Sequence, residues 1–478
     1  MRTTQTARRG TITSGGRIRT AINGFAQRSP SRFAIMVFTL LILVFTLLFS
    51  LPIASASGKV TGLADSLFTA VSVICVTGLS TVDMATHWSV FGHLLVYLGV
   101  QIGAVGVLTM ASILGLIISR RLGLRAKLMA ASDSNPLRLH AGPVAEGQAV
   151  RLGEVGKLLT TVAISMVVIE GLVAVLLFPR MLIAGMSFGT SLWESVYYSA
   201  MAFTNTGFAP NTEGLTPFAE DIWFLGALMI GVFLGAIGFP VILAIASNLR
   251  KRRRRWSIHV KLTLLTSVIL LFAGAALYMA LEFNNPKTFG HLDAGHTVFQ
   301  SFFLSTMARS GGFSTINIDD LHGSSLLATD MLMFIGGGSA STAGGIKVTT
   351  LAVLFLAAFA EARGVESMDA FKRRIPIDVL RLSVAVALWG ATIVAVSSIL
   401  ILQITKAPLD HVLFDVISAF ATCGLSTGLT QQLPDPGVYV LAATMFCGRV
   451  GTVTLAAALA QSQRKQLYQN PEERPLVG

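Results

Sequence analysis

Charge is scarce in this 478-residue chain, and cysteine is scarcer. Only 13% of the residues are Asp, Glu, Lys or Arg, against 53% apolar, and the mean hydropathy is +0.70. Soluble domains carry about a quarter charged residues, so the composition excludes an ordinary string of soluble domains and belongs in lipid. The three cysteines, Cys75, Cys423 and Cys447, fall in or beside apolar stretches without metal-type spacing, which excludes a disulfide framework. His-Glu-x-x-His, Gly-x-Ser-x-Gly and clustered metal ligands are missing too. His87, His93, His291, His296, His322 and His411 are scattered over loops or span ends, and the chain is read as not an enzyme. No strand-linked Gly-x-Gly-x-x-Gly unit occurs, so any nucleotide control must come from a separate chain.

Long apolar runs, in contrast, recur from end to end. Crossing roughly 30 Å of hydrocarbon takes about 20 apolar residues, and eight runs meet that need: Phe33 to Ile53, Val90 to Ile118, Leu158 to Phe178, Ile222 to Ser247, Leu262 to Phe283, Leu326 to Phe359, Val379 to Gln403 and Val438 to Ala460. The formal charge of +12 is distributed by side. Arg2, Arg8, Arg9, Arg17, Arg19, Arg28 and Arg32 precede the first run, and Arg120 to Arg151, Arg250 to Arg255, Arg363 to Arg374 and Arg464 to Lys465 follow every second one. The alternate loops carry Asp83, Glu213, Glu220, Asp221, Asp319, Asp320 and Asp435, with few bases. The positive-inside rule then places both termini in the cytoplasm, and the Arg252 to Arg255 block reads as a contact with anionic lipid rather than with nucleic acid. The stretch before Phe33 leads into a span too long for a signal peptide and reads as a retained, disordered tail.

Four segments align without gaps: Ser66 to Ser80, Ser195 to Ala209, Gln300 to Ser314 and Val412 to Ser426. Each is a short helix-compatible stretch ending in small or hydroxyl residues, a Gly (Gly78, Gly207, Gly312, Gly424) and then Leu or Phe, and each lies between two long runs. Segments of about a dozen residues are too short to cross, so each must enter and leave from the acidic, external side. Irregular backbone at membrane depth needs protein or water around it, so the four turns should converge on one aqueous axis. Half-helices descending from outside aim their carbonyl ends, the negative pole of the dipole, at the membrane centre, where they attract cations. Glycine frees the chain for dihedrals that turn carbonyls towards an ion, and rings of carbonyls can replace a hydration shell. The expected fold is an all-α membrane protein of eight transmembrane helices, arranged as four helix, half-helix, helix (M1-P-M2) repeats around a pseudo-fourfold pore. Its parts are a basic tail (1–32), repeats over 33–118, 158–248, 261–360 and 378–460, and a C-terminal tail (461–478).

The sixth run is interrupted by Gly336, Gly337, Gly338, Gly344 and Gly345, with Ser339, Ser341 and Thr342 between them. Each Gly costs about 1 kcal/mol against Ala inside a helix, so an unwound stretch facing water is expected there. Arg449 interrupts the last run, and a cation at membrane depth is a functional candidate by default, expected to face the pore and to bond loop carbonyls in a closed state. Lys347, at the cytoplasmic end of the broken run, reads either as part of that gate or as a side chain reaching for headgroups. Arg309 should point away from the axis. Glu170 and Asp415 are carboxylates that could ligate an ion or hold nearby backbone.

The strings Cys75-Val-Thr-Gly-Leu79, Thr204-Asn-Thr-Gly-Phe208, Arg309-Ser-Gly-Gly-Phe313, Thr422-Cys-Gly-Leu-Ser426, Gly336 to Lys347 and Gly448-Arg-Val-Gly451 resemble the Trk/Ktr/HKT superfamily of potassium transporters. The likeness runs from Phe33 to Ala460, and the start of the first repeat at Phe33 makes it most similar to the bacterial Ktr-type transmembrane subunit. The resemblance implies K⁺ uptake across a bacterial inner membrane, no covalent cofactor, a homodimer, and a cytoplasmic ring of nucleotide-binding (RCK-type) regulatory subunits. It implies a selectivity filter at Gly78, Gly207, Gly312 and Gly424, with Val76, Thr77, Asn205, Thr206, Ser310, Gly311, Thr422 and Cys423 supplying further carbonyls, and an intramembrane-loop gate at Gly336 to Lys347 with Arg449. Na⁺ stays open as a coupling or activating ion. The alternatives are a Na⁺ or non-selective cation transporter of the same fold, and a secondary transporter of a small organic solute, whose repeats usually number two.

Overall fold

The computed structural model describes residues 30–106, 152–211, 214–249, 256–365 and 367–451. Most of the N-terminal basic tail, the bases from Arg120 to Arg151, the block Arg250 to Arg255 and the tail after Gln461 lie outside them. The described chain is mostly helical, in the order α1 (Pro30–Phe49), α2 (Leu63–Cys75), α3 (Val90–Gly106), α4 (Leu152–Ile183), α5 (Phe188–Thr204), α6 (Ile222–Ile237), α7 (Phe239–Leu249), α8 (Ile258–Glu282), α9 (Ala294–Ala308), α10 (Gly323–Phe334), α11 (Val348–Ala362), α12 (Ile377–Thr405), α13 (Leu409–Ala421) and α14 (Asp435–Phe446). A small hairpin, β1 (Met368–Ala370) against β2 (Arg373–Ile375), joins α11 to α12.

Local chemistry sets the starts of these helices. Asp221 accepts from the amides of Trp223 and Phe224, Ser257 from Val260, Ser187 from Thr190 and Asp293 from Gly295. These are side-chain caps for donors that the first helical turn leaves unpaired. Among the described residues, Thr160–Ile183, α8 and α12 are each long and apolar enough to cross a membrane singly. The fourth apolar run, expected as one span, is instead two helices, α6 and α7, bent by 102°. The reason lies at the break: Gly238 sits at φ 90°, and Pro240 in the first turn of α7 brings no amide to continue α6. The sixth run is likewise split, with no regular helix between Phe334 and Val348. In the last run α14 ends at Phe446 and passes into a wide π-helical turn over Cys447–Gly451.

Polarity is arranged for lipid outside and polar contacts within. Leu47, Val90, Val175, Leu388 and Ile399 are more than 60% exposed on the helix exteriors, whereas Ser72, Thr77, Thr204, Asn205, Thr206, Ser418 and Thr422 are wholly buried. That is the reverse of a water-soluble surface. Phe68, Tyr197 and Phe414, which hold one register in three of the aligned segments, are fully buried and anchor their helices in a shared core.

Candidate ion-coordinating site

Helices α2, α5, α9 and α13 all end one turn before an aligned glycine, and their ends share one backbone pattern. The residue two before each glycine has a positive φ: 59° at Val76, 61° at Asn205, 89° at Ser310 and 47° at Thr422. The glycines repeat it, at 94°, 79°, 73° and 98° for Gly78, Gly207, Gly312 and Gly424. For β-branched Val76 and Thr422 this conformation is strained, and it persists only where the surroundings over-determine it. In three segments the amide between the two positive-φ residues closes the helix: Thr77 N donates to Ser72 O (2.8 Å), Thr206 N to Met201 O (2.9 Å) and Cys423 N to Ser418 O (2.9 Å). In the third, Gly311 N donates to Met307 O at 2.7 Å. The Ser72 and Ser418 hydroxyls also accept from the Gly78 and Gly424 amides, at 3.1 and 3.2 Å.

The four turns meet. A Cβ placed on Gly78 would lie 1.7 Å from Thr206 O; one on Gly207 would lie 2.6 Å from the Gly312 backbone; one on Gly312, 2.7 Å from Cys423 O; and one on Gly424, 2.6 Å from Thr77 O. Contact therefore passes from the first segment to the second, third and fourth and back to the first, a closed circuit of main chain. The structure brings together all twelve residues named for the four turns, with Val76, Thr77, Asn205, Thr206, Thr422 and Cys423 fully buried. Ser310 adds a cross-tie, its hydroxyl donating to Thr422 O at 3.0 Å.

Each short helix also fastens its own outward-running arm. Asp65 accepts from the Thr81 hydroxyl (2.7 Å), the Tyr198 hydroxyl lies 3.0 Å from Gly214 O, and Gln300 accepts from the Thr315 hydroxyl (2.8 Å). Asp415 accepts from Ser426 and from the amides and hydroxyls of Thr427 and Thr430. Periodicity alone did not single out Asp65, Tyr198 or Gln300; the recurrence of Thr three residues after the glycine, at Thr81, Thr315 and Thr427, was the available signal.

Beneath these turns the stretch from Ile335 to Lys347 forms a necked loop, Ile346 N donating to Phe334 O (3.1 Å) and Val348 N to Gly337 O (3.1 Å). It holds Gly336, Gly337, Gly338, Ser339, Ser341, Thr342, Gly344 and Gly345. The loop lies against two turns: a Cβ on Gly344 would fall 2.2 Å from Thr422 Oγ1, and the Thr342 hydroxyl is 2.8 Å from Asn205 Oδ1. Lys347 is half-buried and donates to Ala343 O (2.6 Å) and Gly344 O (3.4 Å), so it ties the loop to itself. Arg449 differs from expectation in its partner. Its buried guanidinium reaches the Thr422 hydroxyl at 3.4 Å rather than a loop carbonyl, and it is Lys347 that donates to the loop carbonyls of Ala343 and Gly344. The reason is steric: Gly448 lies tight against Phe420 O, which presses the π-turn onto α13 rather than onto the loop. Arg449 Nε and Nη2 find no acceptor among the described residues. Arg309 turns to α8, donating to Ser267 O (2.7 Å) and Ser267 Oγ (3.1 Å). Glu170 accepts from Gln101 at 2.7 Å, between α3 and α4 and away from the four turns.

A mostly helical chain with apolar helix exteriors and four short helices whose turns meet at one centre has the fold of a solved membrane protein, the potassium transporter TrkH from Vibrio parahaemolyticus, TM-score 0.69 at 16% identity, over 90% of this chain and 84% of that one. A family model described as TrkH, cation transport protein, matches residues 11–467, and the chain belongs to that family. Relatives include the Ktr system potassium uptake protein B of Vibrio alginolyticus, 34% identical over 95% of this chain and 96% of that protein. The Ktr system potassium uptake protein D of Bacillus subtilis is 33% identical over 94% and 97%. The potassium/sodium uptake protein NtpJ of Enterococcus hirae is 30% identical over 94% and 97%.

Proposed function

We propose that the chain is the ion-translocating subunit of a K⁺ uptake system, with four M1-P-M2 repeats and eight spans around one pore. The observation that carries this reading is the circuit of glycines, each making room for main chain of the next repeat. Carbonyls so arranged, at the negative ends of four half-helices, suit a dehydrated monovalent cation better than any organic solute, for which polar side chains would be needed. Val76 to Gly78, Asn205 to Gly207, Ser310 to Gly312 and Thr422 to Gly424 form the filter. The 335–347 loop, with Lys347 and Arg449, is the gate. Both termini are cytoplasmic, by the charge asymmetry of the loops, in a bacterial inner membrane. The relatives named as parts of a Ktr system support a further subunit, a nucleotide-binding ring docked on the basic side of a homodimer. Na⁺ passage is the second reading, favoured by the relative named for both ions; glycine in all four turns weighs towards K⁺.

The test is K⁺ or Rb⁺ uptake into a host lacking its own K⁺ uptake systems, with Na⁺ uptake measured alongside. The wild-type chain with its system partner is expected to prefer K⁺. Gly312→Ser, which forces a side chain against Cys423 O, should lower that preference about tenfold or more. Undiminished preference in this variant, at normal membrane levels, removes the glycine-shaped filter; wild-type uptake of neither ion removes the transport assignment.

A further inference from the structure

The 335–347 loop does more than lie below the turns: it is hydrogen-bonded into the break of the fourth span and, through one hydroxyl, into the second turn. Gly338 N donates to Ala236 O (2.7 Å), Phe239 N to Ala340 O (3.1 Å) and Thr342 N to Gly235 O (3.3 Å). Breaking a helix at Gly238 leaves the last carbonyls of α6 and the first amide of α7 unpaired, and the loop supplies these partners. From that platform Thr342 Oγ1 reaches Asn205 Oδ1 at 2.8 Å, on the left-handed residue that opens the second turn, and Phe203 O at 3.1 Å, two residues before it. Asn205 Nδ2 donates to Val232 O at 3.3 Å, so its amide bridges α6 and the loop. A Cβ on Gly235 would lie 2.0 Å from Phe203 O, 2.3 Å from Asn205 Oδ1 and 2.8 Å from Thr342 Oγ1, so only glycine lets the three meet.

We infer that Thr342 is a specificity-positioning residue: docked, its hydroxyl holds Asn205 in the left-handed conformation and fixes the direction of the second turn's carbonyls, so ion discrimination depends on where the loop sits. The inference rests on the filter and gate reading above and deepens it. A gate that merely obstructs changes how fast ions pass; a gate bonded to the filter also changes which ions pass. Asn205 is the pivot because its side chain, unlike that of Val76 in the first turn, offers an acceptor to the loop. The hydroxyl carries one proton, so it bonds one of its two acceptors at a time, and either choice restrains the same short stretch, Phe203 to Asn205.

The experiment compares Thr342→Val, which keeps shape and removes the hydroxyl, with Thr342→Ser, which keeps the hydroxyl, in the full-length chain with its system partner. Rb⁺ and Na⁺ fluxes are measured separately in proteoliposomes at matched protein density. Losing one buried hydrogen bond should lower the Rb⁺/Na⁺ ratio of Thr342→Val about fivefold while raising total flux, and Thr342→Ser should retain the wild-type ratio. Thr342→Ala, which cannot overcrowd the site, should match the Val variant and stands in for it if Val does not reach the membrane. A higher flux at an unchanged ratio overturns the inference and leaves the gate intact. An equal fall in the ratio for Thr342→Ser also overturns it, because packing rather than the hydroxyl would then be responsible. Failure of the filter reading itself shows elsewhere, as a wild-type chain without preference between the ions.

Discussion

At Asp415 a fully buried carboxylate accepts from five donors of its own arm: Ser426 Oγ at 2.7 Å, Thr427 N at 3.0 Å, Thr427 Oγ1 at 3.2 Å, Thr430 N at 2.9 Å and Thr430 Oγ1 at 2.6 Å. The sequence left open whether this carboxylate ligates an ion or holds backbone, and the donors around it favour the second role. Burying a charge is tolerable only where hydrogen bonds replace its hydration, and five of them do so here. Asp415→Asn should therefore destabilise the fourth turn, since an amide offers one acceptor oxygen and sets two N–H groups among donors. Each stranded buried group costs about 1–3 kcal/mol, which should appear as a lower thermal midpoint in detergent, independent of added K⁺. A midpoint unchanged without K⁺ but no longer raised by it would instead make Asp415 an ion ligand. Arg449 shows the opposite economy, one weak bond to Thr422 and two nitrogens without acceptors among the described residues.

Among elements, the four short helices were legible in the sequence because their turns hold glycine at a fixed register, with a positive φ and close main chain at each, and glycine is visible in a string. The 335–347 loop was legible for the same reason, five glycines against the helix propensity of their neighbours. The bend between α6 and α7 was not. Gly238 and Pro240 lie inside an unbroken apolar run, and hydropathy averages over a single left-handed residue. Gly238 and Pro240 allow the break, but what no local pattern encodes is the tertiary contact that satisfies it, the loop's hydrogen bonds at Ala236, Gly235 and Phe239. The separate partners of Lys347 and Arg449, loop carbonyls for the first and the Thr422 hydroxyl for the second, were equally hidden, since both are cations near glycine. The bend is open to test with Gly238→Ala. Its methyl would fall 2.7 Å from Ser339 O at a φ of +90°, a conformation that costs a residue with a side chain about 1 kcal/mol or more. Pushing the loop from its seat should raise basal Rb⁺ flux severalfold at normal membrane levels; a flux equal to wild type would separate the bend from the gate.

Across the whole molecule the repeats are alike in backbone and unlike in environment, and that difference ranks them. Serines cap the glycine amides of the first and fourth turns, through Ser72 and Ser418, where the second and third carry Met201 and Thr306. The loop bonds the second turn and presses on the fourth. The closest approach in the circuit is at Gly78, where an added Cβ would lie 1.7 Å from Thr206 O, against 2.6 Å at Gly207, 2.7 Å at Gly312 and 2.6 Å at Gly424. All four also hold a positive φ, so alanine strains each backbone by a similar amount. The steric term alone then orders the outcomes. Gly78→Ala must displace the carbonyl of Thr206 furthest and should reduce K⁺ over Na⁺ discrimination most, whereas alanine at the other three must also push main chain aside but through a shorter distance and should reduce it less, by comparable amounts. Because the Gly78 clash falls on the residue before Gly207, the double variant Gly78→Ala with Gly207→Ala should lose less discrimination than the two single losses added, as contacting sites do. Uptake ratios for the four single variants and this double one, at matched expression, measure the ranking. Equal losses at all four sites with an additive double variant would mean that each glycine serves only its own turn in setting discrimination.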